Sequence, residues 1–567
     1  MNIGPAFLSK LPNLYSNFYT FIYIKRKPVY TQNSDTKERN MKFREYIFFA
    51  ILLGVIALTV LVLQDREEGP SSQLDAPIAP NGNGPEDVSQ SDQKHAAQQK
   101  DVSDELRQKL KFASGILEER KSDLPDMIKV KKVRVLTTYS FANYFVSEGQ
   151  SYGYEYSHME EFRKFLNKGK GRRDIKVDFY YIPIPYDMLI PALQRGYGDI
   201  VAANLTITPE RSEEVDFTDP YLWGIKEVLI TNKNAERIDK LEDLAGLEIF
   251  VREDSSYHFS LNKLNERLAA MDLKPVEIVT LPGLLNTGEI IEMVNAGAIE
   301  MTFADSHIAS FADKLFPDIK VYDNIVLNDD VRFGWMIRKN NPQLKASLND
   351  FIKTIKKGTL LGNIHFKRYF KENPWVRKAL DRKDLNKFSD YAPLFKKYGE
   401  KYGIDWMLIA ALSFQESRFN PNAKSRYGAV GLMQVLPSTA KDMGIPNIES
   451  PEDNIHAGVK YLDFVRNRYF SDDILPMDER VRFTLASYNA GPANIRRSRN
   501  TTEQMGYDSA IWFGNVEMGT MKQVGSEPVQ YVRNINKYYL SFLISDVVAG
   551  VKEEYNQDKL NELKKKD

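Results

Sequence analysis

WMLIAALSFQESRFNPNAKSRYGAVGLMQVLP, running from Trp406 to Pro437, decides how the second half of this chain is read. Its first residues, Trp406 to Leu412, are apolar almost all round. That argues for a buried helix rather than an amphipathic surface one. Asp405 is placed to cap the helix, and Asn420-Pro421-Asn422 to break it. The helix then carries Glu416 out of apolar surroundings at its C-terminal end. Desolvation raises a carboxyl pKa, and a raised pKa is what a general acid working near neutral pH needs. Taken alone, a glutamate at a helix end is more often solvated or ion-paired, and Arg418 sits two residues away.

Glu416 has company. Glu416-Ser417 is followed by Gly431-Leu432-Met433-Gln434, then by Ser487-Tyr488-Asn489-Ala490-Gly491, then by Glu527-Pro528-Val529-Gln530-Tyr531. In this order and at these intervals the four motifs resemble the lytic transglycosylase (lysozyme-like) domains that cleave bacterial peptidoglycan, over roughly residues 390–550. The resemblance implies a mainly helical fold. Expected helices are Asp453 to Tyr469 with Asp453 as cap, Glu479 to Ala490 ended by Gly491, and Gln530 to Val551.

Cleavage of a glycoside normally takes two carboxyls, one acid and one nucleophile or base. The motifs offer one clear candidate, Glu416; Glu527 resembles a structural, site-shaping glutamate. One carboxyl suffices if the substrate supplies its own nucleophile. The family implies this: the muramyl 2-acetamido group assists departure, and the C6 hydroxyl closes a 1,6-anhydro ring. Glu416 would then act first as acid and next as base. By motif position, Ser417 and Gln434 would bond the sugar, Met433 and Tyr488 would wall the cleft, Asn489 would orient the acetamido group, and Tyr531 would tune Glu416. Outside such a motif set, Met433, Tyr488 and Tyr531 would read as core packing. Gly428 and Gly431 permit a tight loop. Two positions depart from the family pattern: Ser487, where alanine is common, and Pro528, where threonine is common. A water-using muramidase and a non-enzymatic wall sensor are the alternative readings.

The 567 residues leave room for two or three domains. With 77 basic and 77 acidic residues, no charge excess calls for nucleic acid. There is no cysteine, which excludes disulfides, thiolate catalysis and a lipidated cysteine anchor. The six histidines show no metal-binding pattern, and no cofactor is expected.

Tyr46 to Leu63 holds eighteen residues without a charge, long enough to span a bilayer. Lys37, Arg39, Lys42 and Arg44 precede it, and Asp65, Glu67 and Glu68 follow. This asymmetry puts residues 1–45 in the cytoplasm and the remainder outside, behind an uncleaved anchor, with a removed signal peptide as the alternative. The family resemblance implies a membrane-anchored protein in the periplasm of a Gram-negative-type bacterium. Gln64 to Lys100 is rich in Pro, Gly, Ser, Gln and Asp and reads as a tether spanning on the order of 35 Å. A lead-in helix over Asp101 to Lys121 completes the segment 64–125.

Residues 126–358 alternate short apolar strands, beginning at Val133-Arg134-Val135-Leu136, with helical patterns, which argues α/β. The stretches Gly198 to Arg211 and Val215 to Tyr221 make this segment similar to extracellular solute-binding proteins of the amino-acid type. That resemblance implies two lobes, with chain crossings near Glu227–Thr231 and Phe333–Arg338. It implies that Arg211 and Thr206 hold a ligand carboxylate, since an arginine fork makes paired charge-assisted bonds. Ser255 and Ser256 supply lobe-two donors, and Asp305 takes the ligand ammonium. Read alone, Arg211 would pair with Glu210, Glu213 or Glu214. Asp254 stands where the family usually has glycine, and its charge opposes a ligand carboxylate.

A charged connector is expected over 359–389, and a frayed charged tail over 551–567. The two domains in this order behind an apolar segment resemble the membrane-bound lytic murein transglycosylases. The expected partners are peptidoglycan strands, a muropeptide or amino acid at the first domain, and the membrane.

Overall fold

The computed structural model describes residues 119–147, 149–171, 174–371, 383–471 and 475–566. The apolar segment Tyr46 to Leu63, the tether and nearly all of the lead-in helix lie outside them. Among the described residues no helix is long and apolar enough to cross a membrane.

The first body is a two-lobed α/β fold. Strand Lys132–Thr137 is buried at all six positions, as expected of a central strand covered on both faces. It pairs in parallel with Asp178–Pro183 and with Ile200–Val201. Met336–Ile337 and then Asp216–Phe217 complete the lobe-one sheet. The strand is pinned by Asp199, fully buried, whose carboxylate receives Arg134 at 2.7 Å and Arg120 at 3.2 Å. Burial would raise this acid, but the bonds and charge from Arg134 outweigh it and hold it below the usual range.

Lobe two is a three-stranded antiparallel sheet, Met301–Asp305 beside Leu222–Asn232 beside Ile319–Phe333. A parallel pair, Glu248–Arg252 with Glu277–Leu281, adjoins it. The two long strands are the crossings. Their register runs from Leu222 opposite Phe333 to Asn232 opposite Ile319. The second crossing therefore ends at Phe333 rather than beginning there. Once past Gly334 the chain is already back in the lobe-one sheet.

The second body is helical. Among its described residues only isolated bridges occur, Lys424 with Val430 and Val430 with Val435. The Glu416 helix, Trp406–Ser417, buries eight consecutive residues from Met407 to Phe414, which is the all-round burial its composition requires. Asp405 accepts a bond from the Met407 N–H at 2.8 Å and from the Tyr539 hydroxyl at 2.7 Å. The helix stops at Ser417, ahead of Asn420-Pro421-Asn422, because Arg418 and Phe419 both take left-handed backbone, with φ of 52° and 56°. The next long helix is Pro451–Tyr469; its cap is Ser450, which accepts from Asp453 N–H, so Asp453 sits inside the first turn. Met477–Ala490 ends at Gly491, whose φ is 82°.

The final helix begins at Glu527 and runs to Lys566 rather than stopping near Val551. Its later sequence is rich in good helix formers, and no proline or glycine interrupts it after Gly550. Ile544 and Val548 bury into the apolar cluster of the two-lobed body, and Lys552 pairs with Glu292 of lobe two at 2.5 Å. Near its start, Arg533 bonds Asp178 and the Tyr180 hydroxyl of lobe one as well as Glu517. One helix thus stitches the two bodies at several levels. The described connector residues belong with the bodies too: Tyr369 and Phe370 are buried in the two-lobed core, and a helix spans Lys383–Tyr402.

Candidate active site

Glu416 sits in the last turn of its helix, half-buried. The Tyr531 hydroxyl, from the first turns of the final helix, donates to its Oε1. Among the described residues its other oxygen carries no hydrogen bond. Burial pushes the carboxyl up to about 7, and the Tyr531 bond acts against that rise. Its place at a helix C-terminus adds in the direction of the rise, since the helix dipole is negative there. A carboxyl poised near neutrality with one free oxygen can both give and take a proton.

The loop carrying Gly431 to Gln434 faces this helix end. Ser417 donates its hydroxyl to Leu432 carbonyl at 2.8 Å and Ser413 to the same oxygen at 3.1 Å. The Ser417 proton is therefore spent on the backbone, and only its oxygen lone pairs remain for a sugar. Gln434 adopts φ of 48° and donates its amide to Ala423 and Gly431 carbonyls. Its side-chain carbonyl is the part left over. Left-handed backbone at a non-glycine residue costs of order 1 kcal/mol or more. Arg418, Phe419 and Gln434, three such residues, bracket this one site. Gly431, with φ of 78°, has no alternative: a Cβ there would stand 2.3 Å from the Asn454 amide.

Met433 packs inward. Its side chain is fully buried, and its sulfur would stand 2.6 Å from a Cβ at Gly458. It plugs the core from behind because glycine leaves a notch on the neighbouring helix. Tyr488 is half-buried and donates to Met433 carbonyl at 2.9 Å; burial first, then the Glu416 charge, hold its hydroxyl well above its usual value. Asn489 is exposed near the end of its helix, and Glu527 is exposed at the start of the final helix, one turn before Tyr531. Asn454 escaped the sequence reading. It is buried, accepts from Met433 N–H at 2.8 Å, and donates to Val430 carbonyl at 2.9 Å. Its signal was weak because an asparagine early in a helix pattern reads as a surface residue.

In the two-lobed body, Thr206, Arg211, Ser255, Ser256 and Asp305 all line one cavity between the lobes, of about 490 Å³ with its mouth. Arg211 bridges the lobes, donating to Thr206 carbonyl at 2.9 Å and to Asp254 carbonyl at 2.6 Å. Thr206 and Ser256 hydroxyls meet at 3.3 Å across the same gap. Ser255 caps the helix Ser256–Ala270 and donates to Arg252 carbonyl. The Asp254 carboxylate turns to Arg252 at 3.1 Å, so its charge is countered rather than aimed at a ligand.

Arg252 is the charged member of this site that the sequence reading missed, along with wall residues such as Tyr186 and Asn286. It lies over the Tyr186 ring at 3.9 Å, from lobe two onto lobe one. Asp305 is buried, and its Oδ1 has no partner among the described residues. Glu227 lies directly across the strand pair from it. Burial first, and then the Glu227 charge, push Asp305 up to about 8. Among the described residues, no cluster of three His, Asp or Glu side chains is arranged to hold a metal.

Two family models match the chain. The transglycosylase SLT domain matches residues 393–511, and the bacterial extracellular solute-binding proteins, family 3, match residues 132–372. Among solved structures, an ancestral arginine-binding protein bound to glutamine aligns with 43% of this chain and 99% of its own, at 25% identity and a TM-score of 0.35. Among curated relatives, a membrane-bound lytic murein transglycosylase F of Aliivibrio fischeri is 28% identical over 459 residues, 77% of this chain and 86% of its own length. One of the same name from Desulfosudis oleivorans is 31% identical over 432 residues, 72% of this chain and 89% of its own. The chain therefore belongs to the membrane-bound lytic murein transglycosylase F family, and it is a peptidoglycan lytic transglycosylase.

Proposed function

We propose that the chain cleaves the β-1,4 bond between N-acetylmuramic acid and N-acetylglucosamine and leaves a 1,6-anhydro-muramyl end. Glu416 is protonated in much of the resting enzyme near pH 7 and gives its proton to the glycosidic oxygen. The muramyl acetamido group supports the developing positive charge at C1, with Asn489 and the Gln434 side-chain carbonyl as its polar neighbours. Glu416, now ionised, takes the C6 hydroxyl proton as that oxygen closes on C1. No water enters and the carboxyl ends as it began, so one group serves both steps. The observation that carries this reading is Glu416 itself: half-buried, near neutral, and bonded among the described residues by Tyr531 alone. A standard hydrolase would hold a second carboxylate to activate water or form the covalent intermediate.

The test is mass spectrometry of purified peptidoglycan digested by the full chain, with Glu416→Gln as control. Anhydro-muropeptides from the parent alone are expected. Reducing ends instead would mean a water-using muramidase, and no products from either would leave a glycan-gripping sensor.

The interlobe cavity would bind a wall-derived peptide or amino acid, its carboxylate at Arg211 and Thr206 and its ammonium at Asp305. Binding would regulate cleavage by shifting the population of lobe arrangements, and it does so only if the ligand favours one of them. The coupling route we favour starts at Asn286, Thr287 and Gly288 on the cavity wall. It follows the helix Thr287–Asn295 to Glu292, and the final helix from Lys552 back to Tyr531. The enzyme would work from a membrane anchor at Tyr46 to Leu63, in the periplasm.

A further inference from the structure

A second cavity lies between the two bodies, with about 1760 Å³ of empty space including its mouth. It shares no lining residue with the interlobe cavity, and Glu416 does not line it. One wall is a tyrosine cluster of lobe one. Tyr144 and Tyr181 stack with centroids 5.7 Å apart, and Tyr156 leans on Tyr181 at 4.7 Å. The facing wall holds Gln415 and Gln530, the residues directly before Glu416 and Tyr531.

Among the described residues the charges around this cavity do not cancel. Arg163 is spent on Glu160, and Arg533 on Asp178 and Glu517. Arg418 and Lys537 remain, and among the described residues no carboxylate pairs with either. Both gather at the Gly149 turn. Lys537 donates to Gly149 carbonyl at 2.9 Å and to Asn534 at 3.3 Å, both neutral acceptors. Arg418 reaches within 3.4 Å of where a Gly149 side chain would begin. Burial pulls the Lys537 ammonium down to about 8. A part-buried cation in that condition gains most from an arriving anion.

We propose that this cavity is a second saccharide site, which takes a muramyl residue whose lactyl carboxylate is free, as at the end of a glycan strand stripped of its stem peptide. The lactyl carboxylate would lie between Arg418 and Lys537, the sugar ring against the tyrosines, and its hydroxyls on the side-chain amides. Aromatic faces with amide donors suit a ring that is apolar on one face and polar at its edge. Two cations with no carboxylate partner among the described residues would select the acidic sugar over the neutral one. Because Gln415 and Gln530 adjoin Glu416 and Tyr531, an occupant here would touch the supports of the catalytic acid from behind.

The absence of cysteine makes a clean test. Asn536→Cys, in the cavity wall, gives the full chain its one thiol; Glu416→Gln in the same chain stops turnover. Alkylation of that thiol by iodoacetamide is timed with N-acetylmuramic acid and with N-acetylglucosamine, which differ by the lactyl carboxylate. Saturating N-acetylmuramic acid is expected to slow alkylation about tenfold, with N-acetylglucosamine nearly without effect. Adding Arg418→Gln and Lys537→Met should abolish the protection while the thermal unfolding midpoint is kept. If that pair fails to fold, Lys537→Gln against Lys537→Arg gives the same contrast, with protection kept only by arginine. Equal protection by both sugars, none by either, or protection that survives loss of the two cations would overturn the proposal. So would protection that vanishes on adding Asp305→Asn, since the effect would then come from the interlobe cavity.

Discussion

Among the carboxyls held far from their usual acidity, Glu416 and Asp305 have surroundings that differ in kind. Glu416 stands at a helix end with one neutral donor, Tyr531, and one oxygen open. Asp305 stands on a buried strand opposite a second acid, Glu227, with Arg211 and Arg252 nearby. The first arrangement can cycle a proton, since either charge state is accommodated at little difference in free energy near pH 7. The second is mostly neutral near pH 7, and a cation bound beside it would favour its ionised form. Burial raises both; neighbours decide what the raised group is good for.

The largest effect expected from this contrast is at Glu416. Glu416→Gln keeps shape and removes the proton, so turnover should fall about 10²–10⁴-fold with glycan binding retained. Binding measured on intact strands separates the two quantities; a fall in affinity that accounts for the whole loss would make Glu416 a binding residue. At Asp305 the effect is on ligand affinity. Asp305→Asn should weaken binding of an amino-terminal muropeptide about 10–100-fold, the worth of a charge-assisted bond. In the parent at pH 7, Asp305 is mostly protonated and an ammonium favours its ionised form. Binding should therefore release a proton, and affinity should rise with pH and level off above about 8. Calorimetry in buffers of different ionisation enthalpy reads this directly; proton uptake would reverse the assignment.

Gly431→Ala tests the loop that frames Glu416. Its backbone is left-handed and its space is filled by Asn454, so a loss of about 1–3 kcal/mol in stability is expected, seen in thermal unfolding. An unchanged midpoint would mean the loop is free to shift. The smallest effect is Tyr531→Phe. The lost bond had lowered the Glu416 pKa, so the alkaline limb of the pH–rate profile should move upward, by about one unit or less. A downward shift would show that Tyr531 stabilises the protonated form instead.

The sequence located the Glu416 helix well because burial on every side needs apolar residues on every side, and such a run is visible without any tertiary knowledge. It read the cap at Asp405 for the same local reason. It did not show that Met433 packs into a notch at Gly458, since a methionine in a motif looks alike wherever it faces. It read Asp254 as repelling a ligand, because the pairing with Arg252 depends on how a turn is folded. It stopped the final helix at Val551, where apolar periodicity ends, although good helix formers and an ion pair to Glu292 carry it on.

By itself, the amino-acid order determined the two bodies, their succession and the residue types at both sites, because periodicity, capping and motif spacing are properties of neighbours along the chain. The tertiary structure alone decided which oxygen of Glu416 is open, that Arg211 spans two lobes, and that Arg418 and Lys537 face a cavity with no carboxylate partner, each among the described residues. Each of these depends on groups tens to hundreds of residues apart, whose approach is fixed by packing and by the loss of water around them.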